Sequence, residues 1–226
     1  MARLSMSEAE HRLVTDAVAQ AEALTDGEIV TIVARRSDAY LDVGLHWAIL
    51  GAFLVLALAA AVPASFQNLY IHLLGGWRHD LPLDLFLLLL TCQSVATFLI
   101  LRYVFAIPAL RMALTPKATR SRRVRRRAVA LFRTAAEART VGRTGVLIYL
   151  SLDEHRAEII ADRAIAEAVD ADQWGEAMDA LLAEARQDRI GHGMARAVER
   201  VGAVLARHLP RSENSPNELP DRLIEL

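Results

Sequence analysis

The chain almost lacks cysteine. Its single thiol, Cys92, sits inside an apolar run, so neither an intrachain disulfide framework nor a cysteine-based zinc site can be built. The fingerprints of nucleotide, zinc-hydrolase and serine-nucleophile chemistry are missing as well. There is no P-loop, no dinucleotide glycine pattern, no H-E-x-x-H pair among the seven histidines, and no G-x-S-x-G elbow around Ser151, although His155 follows nearby. No internal repeat occurs. The first 44 residues are polar and patterned, unlike a signal peptide. One stretch lacks acidic residues: 102–133 holds ten Lys/Arg and no Asp/Glu, in a chain that balances 26 basic against 27 acidic. Residues 137–226 compensate, with 17 acidic against 11 basic.

Two further stretches lack polarity. Leu45–Val62 reads LHWAILGAFLVLALAAAV and carries no full charge; Leu83–Leu101 reads LDLFLLLLTCQSVATFLIL, with only Asp84 near its start. At about 1.5 Å of rise per residue each reaches roughly 27–28 Å, close to the thickness of a bilayer core. A soluble helix of that length would show a polar face, and neither stretch does. The pattern predicts a transmembrane hairpin. Arg35 and Arg36 precede it and RMALTPKATRSRRVRRR follows it, whereas the Pro63–Pro82 loop offers only Arg78. Lys/Arg excess marks the cytoplasmic side, so both termini are expected in the cytoplasm and the loop outside. Trp47, Arg102 and Tyr103 suit the inner interface, Asp84 the outer one. Within the loop, SFQNLYIHLLGGW has the aromatic and leucine content of an interfacial segment.

The soluble parts are patterned too. Ser7-Glu8-Ala9-Glu10 fits a capping box ahead of an amphipathic helix over residues 7–24. A Thr-Asp-Gly turn leads to a β-branched strand, Glu28–Ala34. After the hairpin, Pro108 and Pro116 break any continuous helix, and residues 118–139 predict a helix with the stripe Val124, Ala128, Leu131, Ala135, Ala138. Thr144–Leu152 reads as a strand buried on both faces, and Arg156–Ala161 as its antiparallel neighbour across a short polar turn. Asp170-Ala-Asp-Gln173 opens a helix with Trp174 and Met178 facing the core. Gly191-His192-Gly193 reads as a break with His192 exposed, ahead of a last helix ending at Pro210. The polar, proline-bearing tail 211–226 is expected to be disordered. One strand and one helix cannot cover each other's open faces, so residues 1–44 and 108–210 are expected to form a single α/β domain, with the hairpin 45–107 inserted.

The run TGVLIYLSLDEHRAEIIADR, followed by DQWGEAMDALLAEARQ and GHGMARAVERVGAVLARHLP, resembles the TPM domain, the family that includes thylakoid acid phosphatase-like proteins. The likeness spans about residues 120–209, with Glu28–Ala34 as the family's first strand. It implies a compact mixed-sheet α/β sandwich and, within the family, the small bacterial membrane proteins that carry the domain beside two spans. The expected location is therefore the bacterial inner (plasma) membrane. Two departures bear on function. Where the family has Asp-Asn before Gly-Val, this chain has Arg143 and Thr144, and a guanidinium repels a cation that needs oxygen ligands. The family's glycine-rich segment after the second strand is here Ala161–Ile165, without glycine.

The remaining candidates are few. Asp153, Glu154, Glu158 and Asp162 form the one dense acidic set beside a strand turn; Glu158 and Asp162, four apart, would share a strand face. As a remnant cation or phosphate site, Asp153 and Glu154 would be oxygen ligands and Arg163 a phosphate contact. As a solvated hairpin turn, Arg156 and Arg163 would neutralise the acids, and the sequence favours this second reading. Arg122, Arg123, Arg125, Arg126 and Arg127 set topology and solvate a helix, and they form a surface attractive to anionic lipid headgroups. Without aromatic interleaving they do not point to nucleic acid. The residues thus favour a non-catalytic, membrane-tethered module that binds a protein partner or a lipid surface. The resemblance alone implies the alternative, a metal-assisted hydrolase of phosphomonoesters using calcium or magnesium. No other cofactor is expected.

Overall fold

A computed structural model describes residues 6–76, 80–134, 144–212 and 221–226. The chain divides into two compact units, Met1–Asp38 with Lys117–Leu226, and Ala39–Pro116.

In the first unit, α1 (Glu8–Glu22) starts at Ser7 with both halves of the capping box formed. The Glu10 N–H donates to the Ser7 hydroxyl at 3.2 Å, and the Ser7 N–H donates to the Glu10 carboxylate at 2.9 Å. β1 (Glu28–Ala34) follows. After the second unit come α6 (Lys117–Phe132), β2 (Gly145–Ser151), β3 (Arg156–Ala161), α7 (Arg163–Ala168), α8 (Ala171–Ala185), α9 (Ile190–His208) and β4 (Ile224–Glu225). The sheet order is β3-β2-β1-β4. β2 pairs parallel with β1, from Glu28 opposite Gly145 to Ala34 opposite Ser151, and antiparallel with β3. Every β2 residue is buried, as its near-continuous apolar run requires of a central strand. Ile29, Val33, Val146, Ile148 and Leu150 face the core shared with α1, α8 and α9. On the other face Val30, Ile32, Leu147 and Tyr149 pack against Val124, Ala128 and Phe132 of α6. The result is a mixed α/β domain with helices on both sides of one sheet.

Two sequence expectations change, and one element is new. The tail 211–226 is not disordered at its end: Leu223 is buried, β4 pairs parallel with β1, and the Leu226 N–H donates to the Val33 carbonyl at 2.9 Å. Covering the otherwise open edge of β1 is the physical gain. Second, Gly191 and Gly193 do not break a helix but lie inside α9. A Cβ on Gly191 would meet the Glu10 Cβ at 2.6 Å, and one on Gly193 the Leu181 carbonyl at 2.9 Å. The glycines thus let α9 approach α1 and α8, which outweighs their poor helix propensity. The new element is the short helix α7, in the segment after β3. Ala135, Ala138 and Arg143 lie outside the described residues.

The second unit contains α2 (Leu41–Ala61), α3 (Pro63–Leu73), α4 (Leu83–Val104) and α5 (Pro108–Leu114). Pro63 and Pro108 begin α3 and α5, where a missing N–H costs nothing. α2 and α4 are long and apolar enough to cross a membrane. They touch through small residues: Ala48 is fully buried, and a Cβ on Gly51 would clash with Leu101. Their large side chains point outward; Phe53 is 64% and Ile100 61% exposed, the reverse of a soluble core helix. The SFQNLYIHL part of the loop is α3, held by Tyr70, which packs against Phe66 and Phe86 and donates to Gln93 at 2.5 Å.

Candidate functional site

Parallel pairing carries the ends of β1 and β2 out of the sheet side by side. The ladder runs on past both strands, with the Leu152 N–H donating to Ala34 at 3.0 Å and the Asp153 N–H to Arg35 at 2.9 Å. Arg36 and Ser37 therefore meet Asp153 and Glu154. The Glu154 carboxylate is buried and engaged at both oxygens. The Ser37 backbone N–H donates to Oε1 at 2.9 Å, and the Ser151 hydroxyl donates to Oε2. The Ser37 hydroxyl donates to Ser151 Oγ at 3.0 Å. With that proton committed, the Tyr149 phenol must be the donor in its 3.0 Å contact with Ser37. The result is a one-way relay, Tyr149 to Ser37 to Ser151 to Glu154. Burial pushes the Tyr149 phenol pKa up, and its serine hydrogen bonds oppose that shift. Beside the relay, Arg36 donates from Nε and Nη2 to one Asp153 oxygen, at 2.8 and 2.6 Å.

Ser151 has a carboxylate acceptor, as a nucleophile would need, but it has no exposed surface. What the relay does is hold the segment that leaves β1 against the β2–β3 turn. His155 closes that turn in the left-handed region, at φ 50°, with its N–H donating to the Leu152 carbonyl at 3.0 Å. Next to it a cleft of about 310 Å³ is lined by Lys117, Arg120, Glu154, His155 and Arg156, with Leu182 at its apolar wall.

The four acidic candidates do not converge. Asp153 and Glu154 stand at one end of β2. Asp162 stands at the other, where its carboxylate accepts from the Gly145 N–H at 2.9 Å and its own N–H donates to the Gly145 carbonyl at 2.9 Å. Seven strand residues at about 3.3 Å each put roughly 20 Å between these ends. Asp162 also lies beyond the last residue of β3, so it shares no strand face with Glu158. Glu158 pairs with Tyr149 across the strands and looks toward α6, where Arg125 Nη1 is 3.6 Å away. Burial raises its carboxyl pKa, against the pull of Arg125 and Arg156. Among the described residues no group of three or more His, Cys, Asp or Glu is placed to hold a metal ion.

Of the basic candidates, Arg163 is exposed and pairs with Glu167 one turn along α7, at 2.7 Å. Arg123 and Arg126 both reach Asp38, at 3.1 and 3.5 Å. Arg122 reaches the Thr119 hydroxyl at 3.5 Å, and Arg127 is exposed on the same helix. Carboxylates therefore offset part of the arginine face. Sequence reasoning missed Arg36, Ser37 and Tyr149 as site residues, because only strand pairing brings Ser37 to residues 112–117 positions away.

At the opposite end of the sheet Glu22 is buried, with one oxygen accepting from the Ile29 N–H at 2.8 Å and the other without a hydrogen-bond partner. Burial, reinforced by Glu28 and Asp221 and opposed by the Ile29 N–H and Arg211, pushes its pKa up to about 8.

Comparison with known proteins agrees with this architecture. Residues 109–204 match the TPM domain, from α5 into α9. The NMR structure of the BA42 protein from the psychrophilic bacterium Bizionia argentinensis has a similar fold, with a TM-score of 0.56 over 100% of both chains at 16% sequence identity. No curated protein matches the sequence significantly. The chain carries a TPM domain.

Proposed function

We propose that this protein is a membrane-tethered TPM-domain module that works by binding, without catalysis, at the cytoplasmic face of a bacterial inner membrane. The observation that carries this reading is the engagement of Glu154. Both its oxygens are held by Ser37 and Ser151, and its neighbour Asp153 is held by Arg36. These carboxylates, which a metal-assisted hydrolase would turn toward a cation, brace the turn instead. Two apolar helices with outward-facing leucine and phenylalanine support the tether. The lysine and arginine excess at both flanks supports cytoplasmic termini.

The test is turnover of a generic phosphomonoester by the full chain in detergent, with and without calcium or magnesium. The expected result is a rate indistinguishable from buffer under all conditions. Metal-dependent hydrolysis that disappears in Asp153→Ala/Glu154→Ala would overturn the reading in favour of a phosphatase.

A further inference from the structure

The sheet protects its two edges unequally. β4 covers β1, but nothing among the described residues pairs with the outer side of β3. Which groups that side offers follows from the ladder. The Asp162 N–H donates to the Gly145 carbonyl, so Gly145 and Asp162 form a hydrogen-bonded pair. Alternation along an antiparallel ladder then turns the N–H and C=O groups of Arg156, Glu158 and Ile160 toward β2, and those of Ala157, Ile159 and Ala161 outward. All of β3 is half-buried, and the cleft beside the β2–β3 turn reaches Ala157. The usual defences of an edge strand are missing. β3 has no proline and no lysine, and its register with β2 runs from Arg156 to Ala161 without a bulge. Its two charges, Arg156 and Glu158, share the face toward α6, with Ser121 and Arg125 of that helix at 3.3 and 3.6 Å.

We propose that β3 pairs antiparallel with β3 of a second copy about a two-fold axis at Ala157, joining two four-stranded sheets edge to edge. Ala157 then faces Ala157 of the second copy, and the two exchange N–H···O=C bonds. Charge complementarity sets the register. With the axis at Ala157, Arg156 of each copy lies opposite Glu158 of the other, which makes two cross-strand ion pairs on the face toward α6. A slip that centres Glu158 sets two carboxylates face to face. A slip that centres Ile159 sets Arg156 opposite Asp162, whose carboxylate is buried and bonded to the Gly145 N–H. Burial holds the Glu158 pKa up against Arg125 and Arg156, so the second copy's guanidinium arrives where a carboxylate is short of compensation. The pairing goes beyond the binding role proposed above and does not depend on it.

The experiment uses the full chain in dodecyl maltoside. Facing Cα atoms of a hydrogen-bonded pair lie about 5.5 Å apart, within reach of a disulfide. In a Cys92→Ser background, mild oxidation should therefore link Ala157→Cys into a dimer on a non-reducing gel. Ile159→Cys should stay unlinked, because its mate stands roughly 13 Å away along the strand. Light scattering coupled to size-exclusion chromatography should give two copies per particle for the unmodified chain. Arg156→Glu should weaken the dimer by about tenfold, and Arg156→Glu/Glu158→Arg, which exchanges the charges, should restore it. Ala157→Pro removes an outward N–H and leaves the β2 ladder whole, so it should give a monomer with unchanged circular dichroism. A monomer in the unmodified chain, a link through Ile159→Cys in place of Ala157→Cys, or a dimer that survives Ala157→Pro would overturn the proposal. The first of these would leave the edge to a strand of another protein, and the last would place the contact away from β3.

Discussion

Ser37 and Glu154 lie 117 positions apart in sequence, yet the backbone N–H of the first donates to the carboxylate of the second at 2.9 Å. The bond joins the last residues before the apolar hairpin to the turn between two core strands. It ties the segment that leaves β1 to that turn, within one unit of the chain.

Glu154→Ala removes the shared acceptor of the Ser37 N–H and the buried Ser151 hydroxyl. The expected loss is about 1–3 kcal/mol, the usual cost of leaving buried donors unsatisfied, and denaturant unfolding of the detergent-solubilised chain measures it. Arg36→Ala should cost less, about 1 kcal/mol or below, because the Arg36–Asp153 pair is partly exposed.

The buried Glu22 predicts a pH dependence of stability. Its folded-state pKa lies near 8, above the ordinary value of 4.5. Between these values the folded chain holds a proton that the unfolded chain has released, so stability falls as pH rises across that window. Glu22→Gln should flatten this fall and raise Tm at pH 8 by on the order of 2 °C or more, as read by thermal scans at pH 5, 6.5 and 8. An unchanged slope would contradict the assignment.

Close packing of α9 on α1 makes Gly202 intolerant of a side chain. A Cβ there would meet the Ala21 Cβ at 2.5 Å. Gly202→Ala should destabilise by about 1–3 kcal/mol, and Ala21→Gly in the same chain should recover much of that loss. Additive destabilisation in the double variant would contradict the contact.

Deleting residues 221–226 uncovers the edge of β1 and removes the buried Leu223. The truncated chain should be less stable and more prone to associate through that edge, seen as a lower unfolding midpoint and larger particles in size-exclusion chromatography.

Much of this fold was legible because local pattern and global position agree. The β-branched run at Glu28–Ala34, the apolar run at Gly145–Ser151 and the capping box at Ser7 each dictate one element, and each element forms with nearly those bounds. Local reasoning failed where a distant partner decides. Gly191 and Gly193 look like breakers until α1 and α8 are present to reward their missing side chains. β4 is two residues long in a polar tail, and only the open edge of β1 makes it a strand. For the site, the sequence marked Asp153 and Glu154 but not what holds them. Arg36 and Ser37 carry no motif, and strand pairing alone brings them there.

The membrane tether is the central claim, and one labelling experiment tests it most directly. In a Cys92→Ser background, a single cysteine is placed at Gln67 in α3 or at Arg186 after α8, both exposed positions. Intact cells are then treated with a membrane-impermeant maleimide. Two crossings with a cytoplasmic domain predict labelling of Gln67→Cys from outside and of Arg186→Cys only after the inner membrane is opened. Equal labelling of both sites in intact cells, or release of the chain from membranes by alkaline carbonate, would contradict it.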